Sequence, residues 1–557
     1  MSYNNGKWRE TKEQLNGLDN MWLIMADHTD FNPACAATYT FKGKLDIDTL
    51  KESYAKMADR FPRYKQKLVD LNDIWKGASF IDDPDFNIDL HTKSIRLTSK
   101  SGRHTVGRDE LDEYVGHFIA QPWDLSRPLW ESTIIENYED EAGAHSAMVT
   151  RGHHSLTDGQ GFVLSQMSVT SFGPKLEKMM ADGQKSLQKL KSGTRAPSSL
   201  HPSLKPLDRF TGQWWMTIAL ATIYWSLWSL AMCIDLYWSV IQAVQSVAFW
   251  FFTFWRVTTV TPHYSGERVK EREFSTSTPF AMKDIKLLQK AFSGVRPGSI
   301  FDHIRGQKRH DRDWYRHVTL NDVVCAVISD VIAQEIAEKK PDPGIYNAFV
   351  RSVNRYLPNP VGIFIPISIR EAGDWTMKNL STGALAYLPS SYTEGKPRPD
   401  SLYDRIHATR RRLKVLKHSL LPRFNYWLNH RVGAVPILWP SPLSLVTPYG
   451  DSPLQRVTRL CLDTVMTSFC AIVTNVPGPS KERLEMCGQE VIRWTALPPQ
   501  AGKGTLGIGI ISYAGDLYIS VSADKVKGGE GVARRLTDKF ERRWREYLEA
   551  ANKVIKN

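Results

Sequence analysis

The sequence predicts a mixed α/β (α+β) fold built as two large halves. Short apolar stretches typical of buried strands, such as residues 364–370 (FIPISIR) and 469–479 (FCAIVTNVPGP), occur between stretches with helical periodicity. The chain has 557 residues, more than one ordinary hydrophobic core supports. A composition of 42% hydrophobic and 24% charged residues is that of a folded protein. We therefore expect two domains or a pseudo-duplicated pair.

Local patterns predict the individual elements in chain order. Asp46 or Asp48 is placed to cap a helix that ends at Pro62. The other predicted elements are a strand over residues 145–150, a helix from residue 158 or 159, an apolar helix over 318–332 with Thr319 or Asn321 near its start, a basic helix over 405–420, a hairpin of 506–513 and 517–522 about Gly515, and a closing helix over 531–555.

A long apolar insertion separates the two halves. Residues 214–255 carry seven tryptophans and a single charge, Asp235. One straight helix of that length would measure about 63 Å, roughly twice the hydrocarbon thickness of a bilayer. We therefore expect a membrane hairpin that turns near Asp235. A pair of interfacial helices and a buried soluble core are the alternatives.

These features predict four segments: a first half over residues 1–174, a basic linker over 175–212, the hydrophobic Trp-rich hairpin over 213–256, and a second half over 257–557. The net charge of +13 comes without any recognisable nucleic-acid-binding motif. A basic surface beside apolar sequence instead favours anionic lipid or a phosphate-bearing ligand. Six scattered cysteines and a polar amino terminus predict a reduced, cytosol-facing protein without a secretory signal. We expect it on a membrane.

The stretch whose residues are best suited to catalysis is 151–161 (RGHHSLTDGQG). An imidazole near neutral pKa is suited to take a proton from an alcohol, and adjacent strand residues point to opposite faces. His154, nearer the loop, is the expected base, and His153 is expected to pack inward. Asp158 either orients the imidazole or pairs with an arginine, and Gly159 leaves room for substrate.

Four other interpretations compete with this one. A metal site is disfavoured because the HxxxH spacing and cysteine partners are missing. The histidines could be satisfied core residues, or the motif could be coincidental. A serine hydrolase is disfavoured because the sequence lacks a GxSxG elbow.

HHSLTDG resembles the HHxxxDG signature of coenzyme-A-dependent acyltransferases with the chloramphenicol-acetyltransferase-like fold. Further stretches resemble the wax ester synthase/diacylglycerol acyltransferase family: LDNMW, DRFPRYKQKL, PWDLSRPLWE, LNDVV, IPISIR, TNVPGP and ISYAGDLYISVSAD. The chain departs from the family where its Gly-Asn pair is Lys378–Asn379, and in the Trp-rich insertion, which resembles the membrane segment of eukaryotic members.

The resemblance implies a pseudo-dimer of two α/β domains with a channel between them. Acyl-CoA and a hydroxyl lipid, a fatty alcohol or diacylglycerol, would enter it and give wax esters or triacylglycerol, at the endoplasmic reticulum. No cofactor or metal is implied. Asn321 and Asn475 are candidate oxyanion donors. Asp158 is expected to pair with Arg370, which ends the strand at residues 364–370.

Two opposing functions remain open at this point. One is a condensation domain of the peptide-synthetase type, for which the chain supplies no carrier-protein neighbour. The other is an inactive membrane-bound scaffold, against which the intact histidines, aspartate and glycine argue. The acceptor, the acyl chain length and the oligomeric state do not follow from the sequence.

Overall fold

The computed structural model describes residues 2–4, 7–9, 12–28, 31–71, 73, 75–191, 214–262, 271–293, 318–370, 374, 376–391, 399–418, 421–432, 464, 466–479 and 482–556.

The first part of the chain supplies nine strands and five helices among these residues. They are β1 (Ser2–Asn4), β2 (Lys7–Arg9), β3 (Glu13–Gln14), α1 (Gly17–His28), β4 (Ala34–Phe41), α2 (Ile47–Arg60), β5 (Gln66–Val69), β6 (Ser79–Asp82), β7 (Thr92–Ile95), α3 (Arg108–Ala120), β8 (Trp130–Ile135), β9 (Ser146–His153), α4 (Gly159–Ser168) and α5 (Gly173–Lys191).

The rest of the described chain begins with the long helix α6 (Trp214–Thr253). It continues with β10 (Arg272–Thr276), β11 (Phe280–Ala281), α7 (Met282–Phe292), α8 (Leu320–Glu338), α9 (Ile345–Tyr356), β12 (Val361–Ser368), β13 (Ser381–Leu388), α10 (Pro399–His418), α11 (Leu421–Val432), β14 (Ala471–Pro477), β15 (Glu485–Met486), β16 (Gln489–Leu497), β17 (Leu506–Tyr513), β18 (Asp516–Asp524) and α12 (Val532–Lys556). Short 3-10 turns lie at Pro62–Lys65, Ile88–Leu90 and Phe254–Arg256.

Two mixed sheets form the body of the protein, which confirms the predicted fold class. The first has the order β15-β16-β4-β9-β8-β7, and the second has the order β10-β18-β17-β14-β12-β13 with β11 paired to β18. Smaller sheets are β3-β6-β5 and β1-β2. The parallel pairs β12·β14 and β14·β17 lie inside the second sheet, as expected for strands buried on both faces.

The division into two halves is less clean than the sequence predicted. β16 comes from the second half of the chain but pairs antiparallel with β4, next to the strand that carries His153. The two sheets approach closely there, because a Cβ on Gly509 of β17 would lie 1.8 Å from the carbonyl oxygen of Ala496 in β16. A crossing strand therefore fastens one half to the other.

The predicted local signals are present. Asp46 caps α2, its side chain accepting from the Thr49 amide at 2.8 Å. Thr319 caps α8 in a reciprocal capping box with Asp322. The β17–β18 hairpin turns through positive φ at Gly515, where glycine avoids the steric penalty.

The expected membrane hairpin is wrong, because α6 is one continuous helix of 40 residues. Its length is about 60 Å at the usual rise per residue. The physical reason lies in the composition, since residues 214–253 contain no glycine or proline to break the helix near Asp235. The described chain has one helix long and apolar enough to cross a bilayer, within Trp225–Arg256, and its most apolar stretch is only 7% buried. Among the described residues, α6 is therefore not covered as a core helix would be.

The predicted basic linker is also corrected in part. Residues 175–191 belong to α5, a regular helix, rather than to an irregular connection. The remainder of the predicted linker, residues 192–212, lies outside the described residues.

Candidate active site

The predicted strand–loop–helix unit places the two histidines. β9 ends at His153, and α4 begins at Gly159 with Asp158 as its N-cap. Oδ1 of Asp158 accepts a hydrogen bond from the Gly161 amide at 2.8 Å, which satisfies one of the free donors of the first helical turn. The loop is thus held at both ends by backbone structure.

The two histidines face different environments. His153 Nδ1 lies 2.8 Å from Ser155 Oγ, and its ring packs edge-on against Trp123 with centroids 5.7 Å apart. His154 lines the large cavity between the halves, and its ring stacks on Trp22 at 4.1 Å. The structure therefore places His154, not His153, on the wall of the cavity.

Burial controls the protonation of His154. Burial lowers the pKa of His154 from its ordinary value of 6.5 to about 4, and the nearby Asp158 carboxylate opposes that shift. The imidazole is consequently neutral at pH 7, which is the form able to accept a proton. Its Nδ1 has no hydrogen-bond partner among the described residues.

Asp158 turns toward an arginine from the other half. Arg370 Nη2 donates to Asp158 Oδ2 at 2.8 Å, and the two side chains are only 6% and 2% exposed. Oδ2 also accepts from the Leu380 amide at 3.0 Å. The predicted Asp158–Arg370 pair is confirmed, and it joins the histidine loop to the segment after β12.

A second buried pair, which the sequence did not predict, supports the same loop from below. Arg63 donates through Nη2 to Asp19 Oδ2 at 3.0 Å, and both side chains are almost fully buried. Arg63 Nη1 donates to the carbonyl oxygens of Ser155 and Leu156 at 3.1 and 3.0 Å. One guanidinium thus fixes the backbone immediately after the histidines.

Asn379 connects this support to His154 itself. Its Nδ2 donates to the backbone carbonyl of His154 at 2.7 Å and also to Asp19 Oδ1. Asn379 is 1% exposed, so these bonds are made in a dry environment where a lost partner is costly. Asn379 is the second member of the departing Lys378–Asn379 pair, and its amide keeps a direct contact with the histidine loop.

The cavity beside His154 has a volume of about 520 Å³ and draws its walls from both halves. Its lining is mainly apolar and aromatic. Contributors from the first half include Met21, Trp22, Met25, Phe31 and Phe162, and those from the second half include Phe364, Leu385, Phe469, Ile472 and Pro498. A space of this size and character is suited to a hydrocarbon chain.

The long helix α6, which separates the two halves in the sequence, forms part of that cavity. Gln242, Ser246, Val247 and Trp250 line the cavity. The ring of Phe249 packs against Tyr387 of β13 with centroids 4.6 Å apart, which holds the helix against the second sheet. The end of the apolar insertion is therefore a wall of the candidate site.

The two candidate oxyanion donors lie together. Asn475 lines the cavity, and its Nδ2 donates to Asn321 Oδ1 at 2.6 Å. Asn321 does not belong to the cavity wall and acts as a partner that orients Asn475. Gly159 does line the cavity, and a Cβ there would meet nothing within 4 Å, so the side-chain position is open space.

In the described part of the chain, no group of three His, Cys, Asp or Glu side chains is placed to hold a metal ion.

The sequence identified the loop residues but missed the supporting ones. Asp19, Trp22 and Arg63 lie in the stretches LDNMW and DRFPRYKQKL, which carried the resemblance without an assigned role. A buried acid and a buried arginine in separate segments are the available signal, since such groups are rarely buried unless paired. Which acid meets which arginine depends on the tertiary fold.

This fold and site define a two-domain protein with a buried histidine at a central cavity. The chain belongs to the wax ester synthase/diacylglycerol acyltransferase family. Residues 15–199 match the family's catalytic domain, and residues 395–543 match its C-terminal domain.

Individual relatives agree with that membership. Wax ester synthase/diacylglycerol acyltransferase 10 of Arabidopsis thaliana is 22% identical over 507 residues, which are 87% of each chain. A putative diacylglycerol O-acyltransferase of Mycobacterium tuberculosis is 34% identical over 122 residues, so the match spans only 23% of that relative and 22% of this chain.

A solved structure shares the fold. The wax ester synthase/diacylglycerol acyltransferase from Marinobacter aquaeolei VT8 superimposes with a TM-score of 0.53 at 16% sequence identity, covering 97% of this chain and all of that one.

Proposed function

We propose that the protein is a membrane-associated O-acyltransferase that moves a long-chain acyl group from acyl-CoA to a hydroxyl lipid. Fatty alcohol and diacylglycerol are the expected acceptors, giving wax esters and triacylglycerol. The observation that carries the proposal is the neutral, buried His154 on the wall of an apolar cavity between the halves. The names of the relatives point to the same chemistry.

His154 acts as the general base in this proposal. It takes the proton from the acceptor hydroxyl while the oxygen attacks the thioester carbonyl carbon. The tetrahedral intermediate then collapses, the carbon–sulfur bond breaks, and the proton passes to the leaving CoA sulfur. The products are the ester and free CoA, and this proposed step balances without a cofactor or metal.

The surrounding residues position this base rather than react. Trp22 stacks on the imidazole, and Asn379 holds the His154 carbonyl. Asn475 is the proposed oxyanion donor, because Asn321 fixes its side chain at the cavity wall.

The acceptor in this proposal is a lipid that reaches the cavity along α6. The helix exposes a long apolar surface, for example Val244 and Phe251, and its inner side forms part of the cavity wall. A lipid held at such a helix would pass from apolar surroundings into an apolar site without crossing water. We accordingly propose a membrane location, with the catalytic halves on the cytosolic face of the endoplasmic reticulum.

The direct test supplies purified protein with labelled palmitoyl-CoA and one acceptor at a time: hexadecanol, dioleoylglycerol or cholesterol. We expect labelled ester with the alcohol, with diacylglycerol or with both, and CoA released in equal amount. CoA release without ester in every reaction would contradict the proposal and indicate a thioesterase. The His154→Ala variant is the control for uncatalysed transfer.

Membrane association is tested separately by carbonate extraction of membranes from cells expressing the protein. The full-length chain should remain in the pellet, and a variant lacking residues 213–255 should move to the supernatant. Recovery of the full-length chain in the supernatant would contradict this part of the proposal.

A further inference from the structure

Helix α9 carries an apolar face that the described part of the chain leaves largely exposed. Ile345, Tyr346, Phe349 and Tyr356 are 91%, 58%, 56% and 85% exposed. These positions fall on one side of a helix, since residues three, four and seven apart share a face. Val350, at the edge of the same face, is buried and holds the helix to the protein.

The other side of α9 is basic and polar. Arg351 and Arg355 are exposed, and the helix contains no acidic residue. An amphipathic helix with bulky apolar residues on one face and arginines on the other is typical of helices that lie in a membrane interface. Tyrosine is well suited to that position, because its ring is apolar and its hydroxyl is polar.

Helix α9 is fastened to the end of α6. The rings of Phe349 and Trp255 stack with centroids 6.1 Å apart, and the Tyr346 hydroxyl donates to the Trp255 carbonyl. Arg256 Nη1 donates to the Leu357 carbonyl at 2.7 Å and to Asn354 Oδ1 at 3.0 Å. The exposed face of α9 is therefore continuous with the place where the apolar stretch Trp225–Arg256 ends.

We propose that α9 lies flat on the surface of a lipid bilayer, with Ile345, Phe349 and Tyr356 inserted among the acyl chains and the arginines at anionic head groups. This inference rests on the proposed membrane association of α6. Continuity with α6 favours a bilayer over a second protein, because a partner on α9 would have to stand where the membrane around α6 begins. The arginines favour an anionic surface, to which each nearby basic residue adds attraction.

The consequence is a fixed orientation of the enzyme. A helix that enters the membrane and a second helix that lies on it define a plane, so the cavity wall formed by α6 keeps a constant height above the bilayer. Neither contact alone would prevent the catalytic body from rotating about α6.

The test places an environment-sensitive fluorophore on the full-length protein reconstituted into phosphatidylcholine–phosphatidylserine vesicles. The probe is attached at Ile345→Cys in a background with Cys233→Ser, Cys461→Ser and Cys487→Ser, since Cys487 is partly exposed. The control is Trp75→Cys, a 65% exposed apolar position in the first half of the chain, less exposed than the 91% of Ile345. Aqueous iodide and nitroxide-labelled lipid serve as the two quenchers.

We expect the Ile345→Cys probe to be quenched by the nitroxide lipid and to have a several-fold lower iodide quenching constant than the Trp75→Cys probe. Equal iodide quenching at both positions would overturn the proposal. A blue shift of the Ile345→Cys probe's emission that occurs without vesicles and grows with protein concentration would also overturn it. A second copy of the chain would then cover the face. Carbonate extraction reports on α6 independently, and ester formation reports on the proposed activity.

Discussion

The Arg370 guanidinium lies 2.8 Å from the Asp158 carboxylate, although the two residues are 212 positions apart in the chain. Asp158 caps the helix that follows the histidine loop, and Arg370 follows a strand of the second sheet. Arg370 also donates to the carbonyls of Thr376 and Lys378, so the arginine organises the connection that brings Asn379 to His154. His154, the proposed base, is thus positioned by contacts from the opposite half.

The first prediction concerns the energy of this pair. Removing either partner by Asp158→Ala or Arg370→Ala should cost about 3–5 kcal/mol of unfolding free energy, because a buried charge is left unpaired. The double variant should be markedly less destabilised than the sum of the two, as measured by denaturant unfolding in a double-mutant cycle.

The exposed pair Arg483–Glu490 provides the matched control, with side chains 55% and 31% exposed at a separation of 2.7 Å. Its coupling should be about 0–1 kcal/mol. Additive effects at Asp158 and Arg370 would show that the two do not act as a buried pair.

The second prediction concerns Asn379 as a positioning residue. Asn379→Ala removes the donor to the His154 carbonyl and to Oδ1 of Asp19, whose Oδ2 still accepts from Arg63. Acyl transfer should therefore fall about 10- to 100-fold, equivalent to the roughly 1–3 kcal/mol of an unmet buried group. The loss should appear in kcat with little change in KM for acyl-CoA.

Asn137→Ala is the comparison variant for that measurement. Asn137 is also buried and donates to the Leu97 carbonyl at 2.8 Å, but it does not line the cavity. It should lose stability and keep its turnover. Equal loss of turnover in both variants would mean that Asn379 acts through stability alone.

The third prediction concerns α6 as a wall of the cavity. Ser246→Trp should fill space beside the substrate and lower ester formation at least several-fold with long-chain acceptors, because side chains added to a filled cavity are accommodated poorly. Val244 is 63% exposed and does not line the cavity, so Val244→Trp in the same helix should leave activity unchanged. The measurement is the rate of ester formation with acceptors of increasing chain length. Equal rates for the two variants with every acceptor would contradict the prediction.

The fourth prediction concerns pH. Burial lowers the pKa of His154 to about 4. The acid limb of the kcat/KM profile should therefore have its midpoint at a pH well below the ordinary imidazole pKa of 6.5. Acidification should also lower the stability of the fold. The unfolded chain takes up a proton on this histidine as pH falls below 6.5, while the folded protein does so only near pH 4. Stability is therefore lost on acidification between those values. An acid limb at pH 6.5 or above, with the protein still folded by circular dichroism, would contradict the assignment.

The features that followed from the sequence are local or strongly patterned. Asp46 and Thr319 cap helices, as a short polar side chain before an apolar run commonly does. The pairing of Asp158 with Arg370 could be predicted because a buried carboxylate needs a cation and this arginine ends an apolar strand.

The features that did not follow depend on distant contacts. The placement of β16 beside β4 and the meeting of Asn379 with Asp19 join residues hundreds of positions apart, and no local pattern records them. The continuity of α6 through Asp235 was missed for a different reason. Bilayer thickness argued for a turn at Asp235, but the chain there has no residue that interrupts a helix.

The most direct test measures the single-turnover transfer of the labelled palmitoyl group from palmitoyl-CoA to hexadecanol. It compares the wild type with the His154→Ala and His153→Ala proteins. We predict that His154→Ala retains the wild-type melting temperature to within a few degrees and transfers about 10²- to 10⁴-fold more slowly, the usual worth of a general base. His153→Ala, which loses the contact with Ser155, should lose more stability than turnover. A folded His154→Ala protein with near-wild-type transfer would contradict the account.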